Sequence, residues 1–297
     1  MLSSTDDFIQ TLNTYKPHLQ PNNILVSFDV ESLFTNVPLD QIIDIATDRV
    51  YSKNSQATPP FDRNIFSNLL KLATAGVFSF QNFIFRQVDG VTMGNPLGPT
   101  LANLFMSSFE YQWQNYSFSP SVYCRYIDDI FCIFKNDSDH SLFLTMLNQQ
   151  HTNLKFTTEV GYKQINFLDV QVLFDELEII TSVFRKPTFT GLLLNFRSHC
   201  PFSWKRGLVF GSLHRFAVIC SSWRLFDLEV DKFFDILKHC GYPKKFLLNC
   251  LNKQMSVQHD PDRKNNHENK KPTNFIQIPY FGYPSIILSK KLKKTVH

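Results

Sequence analysis

The chain has 297 residues, 43% of them hydrophobic, and 30 basic against 26 acidic side chains give a formal charge of +4. That apolar share is ample for a packed core. No apolar run approaches the ~20 residues that cross a bilayer, and the first ten residues carry Asp6 and Asp7 instead of a secretory core, so a soluble intracellular chain is expected.

The first strand signal covers residues 23–30, where Ile24, Val26 and Phe28 alternate and Asp29 stands at the strand exit. After the Val37-Pro38-Leu39 turn, Ile42, Ile43, Ala46 and Val50 recur at helical spacing over residues 40–51. A hairpin is expected over 77–80 and 83–87 around Gln81-Asn82. A loop rich in glycine and proline, Gly90 to Pro99, then leads into a helix over 100–113, ending near Trp113. Gly94 and Gly98 would let another molecule approach the backbone without a Cβ in the way, although an ordinary loop and cap reads equally well from that segment alone.

The most informative segment is Tyr126-Ile127-Asp128-Asp129. Apolar runs flank it, so it reads as a β-hairpin with two carboxylates at its turn. Adjacent fixed carboxylates are a seat for Mg²⁺. If the strand ending at Asp29 lies beside this hairpin, Asp29 faces Asp128. Carboxylates from two strands can then hold two divalent ions about 3.5–4 Å apart, as nucleotidyl transfer requires.

Further along, a helix is expected over 139–150, then strands over 154–160, 165–174 and 177–184, with turns at Gly161 and Asp175-Glu176; Asp169 reads as a structural acid. Helices follow over 203–220, 225–240 and 243–251. Residues 256–297 read as a linker and a basic tail, with an apolar return over 275–288 and a lysine run at 290–294 that could serve as a nuclear address. Six cysteines show no C-x-x-C pair and are expected to be reduced core thiols.

The modest total charge hides an asymmetry. Residues 1–184 carry 10 Lys and Arg against 19 Asp and Glu, a net of −9; residues 185–255 carry 12 against 4, a net of +8; residues 256–297 carry 8 against 3, a net of +5. An acidic metal site beside a phosphate-binding module has this pattern, and so has a solvated basic surface without a ligand.

Taken together, Phe28-Asp29-Val30-Glu31-Ser32-Leu33-Phe34-Thr35-Asn36-Val37-Pro38, Met93-Gly94-Asn95-Pro96-Leu97-Gly98-Pro99 and Tyr126-Ile127-Asp128-Asp129 resemble motifs A, B and C of the reverse transcriptase palm. The match is closest to Penelope-like retroelements, supported by Phe167-Leu168-Asp169-Val170, by Ser182-Val183-Phe184-Arg185-Lys186-Pro187-Thr188-Phe189-Thr190-Gly191 and by Ile219-Cys220-Ser221-Ser222-Trp223. The resemblance runs from about residue 23 to residue 250.

The resemblance implies an α+β polymerase palm over 1–184, an antiparallel sheet with packed helices, and a basic helical thumb or helix-turn-helix-like module over 185–255. It implies two Mg²⁺ ions, with Mn²⁺ as substitute, held by Asp29, Asp128 and the Val30 carbonyl, with Asp129 in support. Phe34 would bar a 2′-hydroxyl, and Gln87, Gly94 and Pro96 would line the nascent base pair. The plain alternative for Phe34 is core packing in a chain with 30 phenylalanines.

Lys205, Arg206, His214, Arg215 and Arg224 are the phosphate-contact candidates for an RNA template and DNA primer, or an RNA–DNA duplex. Asn95 and Glu31 depart from the family's common residues, and no motif D lysine is assigned, though Lys155 and Lys163 are available. About 22 residues precede the first strand, too few for the family's fingers, and no GIY-YIG endonuclease motif follows. The expectation is therefore a truncated RNA-directed DNA polymerase. A catalytically inactive nucleic-acid-binding remnant is the alternative, and an RNA-dependent RNA polymerase ranks last because of Phe34.

Overall fold

The computed structural model describes residues 1–52, 59–110, 116–175, 178–258, 280, 282–285 and 287. The chain divides into two compact units, Met1–Ile180 and Thr181–His297.

Unit 1 is built on a four-stranded antiparallel sheet of β1 (Ile24–Val30), β4 (Val122–Tyr126), β5 (Asp129–Phe134) and β6 (Phe156–Gly161). The order is β4-β5-β1-β6, which seats β1 centrally between the acidic hairpin and β6. Strand alternation then sorts the side chains. Val26, Phe28 and Val30 of β1 join Ile130, Cys132 and Phe134 of β5 in one apolar cluster. Helices α3 (Leu39–Val50), α5 (Gly98–Glu110) and α6 (Asp137–Gln150) contribute Ile42, Phe105 and Phe143 to the same cluster.

The opposite face takes α1 (Thr5–Tyr15), whose Phe8 ring meets Phe131 edge-on at 4.9 Å and Phe167 at 4.7 Å. The sequence reading assigned no helix there. The signals were nevertheless present: Ser4 accepts a bond from the Asp7 amide at the N-cap, Asp6 and Asp7 favour the positive helix end, and Phe8, Ile9 and Leu12 supply the buried face. A four-residue helix, α2 (Leu33–Asn36), and a helix α4 (Arg63–Thr74) also lie outside the elements read from sequence.

The hairpin β2 (Val77–Phe80) and β3 (Phe83–Arg86) forms where expected, with Gln81 and Asn82 both at positive φ. Both strands are exposed, and the register pairs Phe78 with Phe85 and Phe80 with Phe83, so one face presents four phenylalanines.

One expectation is corrected. The strand anticipated over 165–174 is two strands, β7 (Gln164–Phe167) and β8 (Val170–Asp175), folded back on each other at Leu168-Asp169. Leu168 takes a φ of 55°, and Asp169 Oδ1 accepts the Thr5 hydroxyl at 2.7 Å. The apolar alternation changes phase at Phe167-Leu168, from 165 and 167 to 168, 170, 172 and 174, and that shift marks the turn. β9 (Glu178–Val183) follows, and the division between the units falls within it.

Unit 2 packs α7 (Phe202–Ile219), α8 (Trp223–His239) and α9 (Lys244–Gln258) around Val209, Leu213, Phe216, Val230, Phe233, Leu237 and Leu247. The buried face of α7 is Val209, Leu213, Phe216 and Ile219, with Leu208 and Ser212 half-buried beside it. α9 runs seven residues past the expected end at residue 251, because Gln254 is still buried there. The Ile219-to-Trp223 motif is structural here. Thr181 bonds the Ile219 carbonyl through its hydroxyl at 2.6 Å and pairs with Ser221, while the Ser222 hydroxyl caps α8. Cys124, Cys132, Cys240 and Cys250 are buried. Trp113, Glu176, most of the 275–288 stretch and the lysines at 290–294 lie outside the described residues.

Candidate active site

The register of β1 against β5 sets Asp29 opposite Asp129, one residue from the hairpin turn, and the Val30 amide donates to the Asp128 carbonyl at 3.3 Å. Asp29 and Asp128 are close enough to feel each other. The Asp29 carboxyl is held above its ordinary value, first by partial burial, then by repulsion from Asp128 and from Glu31. Asp29 itself is exposed and Asp128 and Asp129 are half-exposed. Among the described residues no group of three or more His, Cys, Asp and Glu side chains is gathered to hold a metal. A carboxylate raised by burial and by neighbouring anions is suited to a cation, since a divalent ion would offset both the lost solvation and the repulsion.

The acidic turn is a two-residue hairpin in which Tyr126 pairs with Asp129 and Ile127 adopts a φ of 59°. A β-branched residue rarely takes that conformation. What holds it is Arg125, a fully buried cation. Its Nη1 donates to the Ile127 carbonyl at 3.0 Å and to Asn103 Oδ1 at 2.8 Å, and its guanidinium forks onto the Glu110 carboxylate. The Tyr123 hydroxyl donates to the same carboxylate at 2.8 Å. The sequence reading missed Asn103 and Glu110. Their signal is a polar stripe, Asn103-Ser107-Glu110, at spacings of four and three within an otherwise apolar helix.

The glycine-rich loop is tied to the segment after Asp29. The Val91 amide donates to the Phe34 carbonyl at 2.7 Å, and a Cβ on Gly98 would sit 3.6 Å from the Phe34 ring. Phe34 is half-buried against the apolar cluster, so gate and packing are both open to it. Gln87 is engaged inside the loop, donating to the Asp89 carbonyl at 2.9 Å and accepting the Thr92 hydroxyl at 3.0 Å. Gly94 and Pro96 are exposed. Asn95 anchors the loop to α4 by donating to the Ala73 carbonyl at 2.7 Å. Lys155 lies opposite Glu31, whose amide bonds its carbonyl at 2.9 Å.

In unit 2 the phosphate-contact candidates do not share one helix face. At 100° per residue, Lys205 and His214 project from opposite sides of α7, as do Arg206 and Arg215. Lys205 and Arg206 lie over the Phe196 and Phe202 rings at 5.3 and 5.6 Å. His214, Arg215 and Arg224 are exposed.

An antiparallel sheet presenting two acids beside a glycine-rich loop and a helix defines a polymerase palm. The family model for reverse transcriptase (RNA-dependent DNA polymerase) matches residues 3–175, and the chain belongs to that family. The model of the animal helix-turn-helix domain matches residues 192–252, spanning α7, α8 and most of α9. Among solved structures, telomerase from Candida albicans bound to the TWJ fragment of telomeric RNA superposes with a TM-score of 0.56 at 13% identity, covering 85% of this chain and 47% of that one. The RNA-dependent RNA polymerase of a human picorbirnavirus gives 0.52 at 10% identity, covering 85% and 49%. At such identities the likeness is one of fold, and the chain spans about half the length of either structure. No curated protein matches the chain.

Proposed function

We propose that this chain is the palm and helical portion of an enzyme that copies an RNA template into DNA, with Asp29 and Asp128 as the metal-holding carboxylates. The observation that carries the reading is the pairing of β1 with β5, which sets Asp29 opposite Asp129 and bonds the Val30 amide to the Asp128 carbonyl. The Val30 carbonyl would join them, and Asp129 would support the turn. Magnesium, when bound, would lower the pKa of the primer hydroxyl and neutralise the departing pyrophosphate. Phe34 would lie against the incoming sugar and exclude a 2′-hydroxyl, favouring deoxynucleotides. Gly94, Pro96 and Gln87 belong to the loop that would border the base pair. The basic residues of unit 2 would hold template and primer through phosphates.

Within reverse transcriptases we place the chain nearest Penelope-like elements, on the motifs at residues 167–170, 182–191 and 219–223. The lysine run at 290–294 fits a nuclear address. A second reading, binding of nucleic acid without catalysis, draws on the exposed basic side chains of unit 2, His214, Arg215 and Arg224.

Primer extension on an RNA template with Mg²⁺ and deoxynucleotides, comparing the chain with Asp128→Asn, decides between them. Incorporation by the unaltered chain alone is expected. Equal background from both would sink the polymerase reading and leave the binding one.

A further inference from the structure

The β2–β3 hairpin has no part in the site above, and its exposure is costly. Every residue of both strands is exposed, and among the described residues the two form a sheet of their own. A hairpin with no third strand or helix against it is marginal in water, so a surface that covers this one would also stabilise it. The pairing of Phe78 with Phe85 and of Phe80 with Phe83 gathers four rings on one face, and the Phe78 and Phe85 rings stack with centroids 5.6 Å apart. These rings are between 44% and 68% exposed. At ~200 Å² per phenylalanine the face offers about 450 Å² of apolar surface, a size at which a patch usually marks a contact site.

Charge and area select the occupant. No acidic residue occurs between Arg63 and Val88, and the one cation of the hairpin, Arg86, pairs with Val77 and so sits on the face opposite the rings. Lys71 of α4 is engaged by Asp40 at 3.3 Å. A nucleic-acid strand would find rings to stack on and no phosphate partner among them. A second copy presents the same uncharged face, so like charges do not meet there, although residues 1–184 hold 19 acidic against 10 basic side chains. Two such faces would bury about 900 Å² of ring; with apolar area at ~65% of a homodimer interface, the whole comes to about 1,400 Å², within the ~1,200–2,000 Å² of stable pairs.

We propose that this face is a self-association surface, on which two copies of the chain pack their β2–β3 hairpins ring face to ring face about a two-fold axis.

The test is sedimentation equilibrium of the full chain over a wide range of concentration. Reversible dimers are expected. Phe80→Glu and Phe83→Glu should each raise the dissociation constant about a hundredfold, since two-fold symmetry places every substitution in the interface twice, at roughly tenfold each. Ile84→Glu puts the same charge on the opposite face, where Ile84 is 82% exposed, and should leave the dimer intact. Thermal melting monitors the fold; should a glutamate variant melt early, Phe83→Ser, which adds no charge, carries the test with an expected weakening of about tenfold. A chain that stays monomeric at every concentration would overturn the proposal. So would dimers that the Phe80 and Phe83 variants leave unchanged, or that Ile84→Glu weakens equally. A monomer that binds a single-stranded oligonucleotide and loses it in Phe80→Glu would assign the rings to nucleic acid instead.

Discussion

Arg125 donates a hydrogen bond from Nη1 to the carbonyl of Ile127, 3.0 Å away, and so ties a buried cation to the backbone turn that presents Asp128. The turn residue is held at a φ that costs on the order of 1–3 kcal/mol and persists only where its surroundings over-determine it. Arg125 supplies that constraint, and Glu110 and Asn103 of α5 fix Arg125 in turn. The acidic hairpin is thereby registered against the helix that follows the glycine-rich loop.

Replacing Arg125 with methionine should destabilise unit 1 by about 3–5 kcal/mol, because Glu110 would be left without its cation. Arg125→Lys keeps the charge but loses the two-pronged contact, so an intermediate loss is expected. Denaturant unfolding of the variants measures this. A midpoint for Arg125→Met equal to that of the unaltered chain would refute the bracing role.

Because Asp29 holds its proton to a higher pH in the folded chain than when unfolded, it detracts from stability as pH rises through the unfolded value toward the raised one. Below that window the penalty vanishes. Asp29→Asn should therefore be more stable at neutral pH by about 0.5 kcal/mol or less, given solvent screening of an exposed group. The melting curves of the two proteins should converge in acid. Added Mn²⁺ should raise the melting temperature of the unaltered chain and not of Asp29→Asn. A less stable Asn variant at neutral pH would contradict the electrostatic account.

The glycines of the loop should rank by their surroundings. A Cβ on Gly90 would stand 2.5 Å from the Thr35 carbonyl oxygen, at a φ of 76°, so Gly90→Ala should cost roughly 2 kcal/mol or more and loosen the Val91–Phe34 link. Gly94→Ala meets nothing within 4 Å but keeps a φ of 89°, for a loss of about 1 kcal/mol. Gly98→Ala makes only ordinary contacts, 3.4 Å at the nearest, and should stay within ~0.5 kcal/mol. Matching melting temperatures for Gly90→Ala and Gly98→Ala would disprove the ranking.

Phe34→Val should admit ribonucleotides if the ring faces the sugar. Its carbonyl bond to Val91 does not depend on the side chain, so the loop connection should survive. Single-nucleotide incorporation with ribo- and deoxy-substrates is the readout. Unchanged sugar preference in an active protein would assign Phe34 to packing alone.

Local pattern was enough to locate β1, the acidic hairpin, α3, α6 and the helices of unit 2, because each carries its period and turn chemistry within one window. It also singled out Asp29 and Asp128, since acids at strand ends interrupt otherwise apolar runs. It did not separate β7 from β8, whose turn of Leu168 and Asp169 carries neither glycine nor proline and is marked only by a change of phase in the alternation. Nor could it tell which side chains Arg125 and Arg185 would meet. Glu110 and Glu229 are 15 and 44 positions away from them, and such pairings are chosen by how helices pack on the sheet and on one another, not by neighbours in the chain. The sequence alone determined the elements and the acids, because both are encoded within a few residues; only the tertiary structure decided how the acidic turn is braced and which acids Arg125 and Arg185 pair with, because buried charges settle where long-range packing brings a partner.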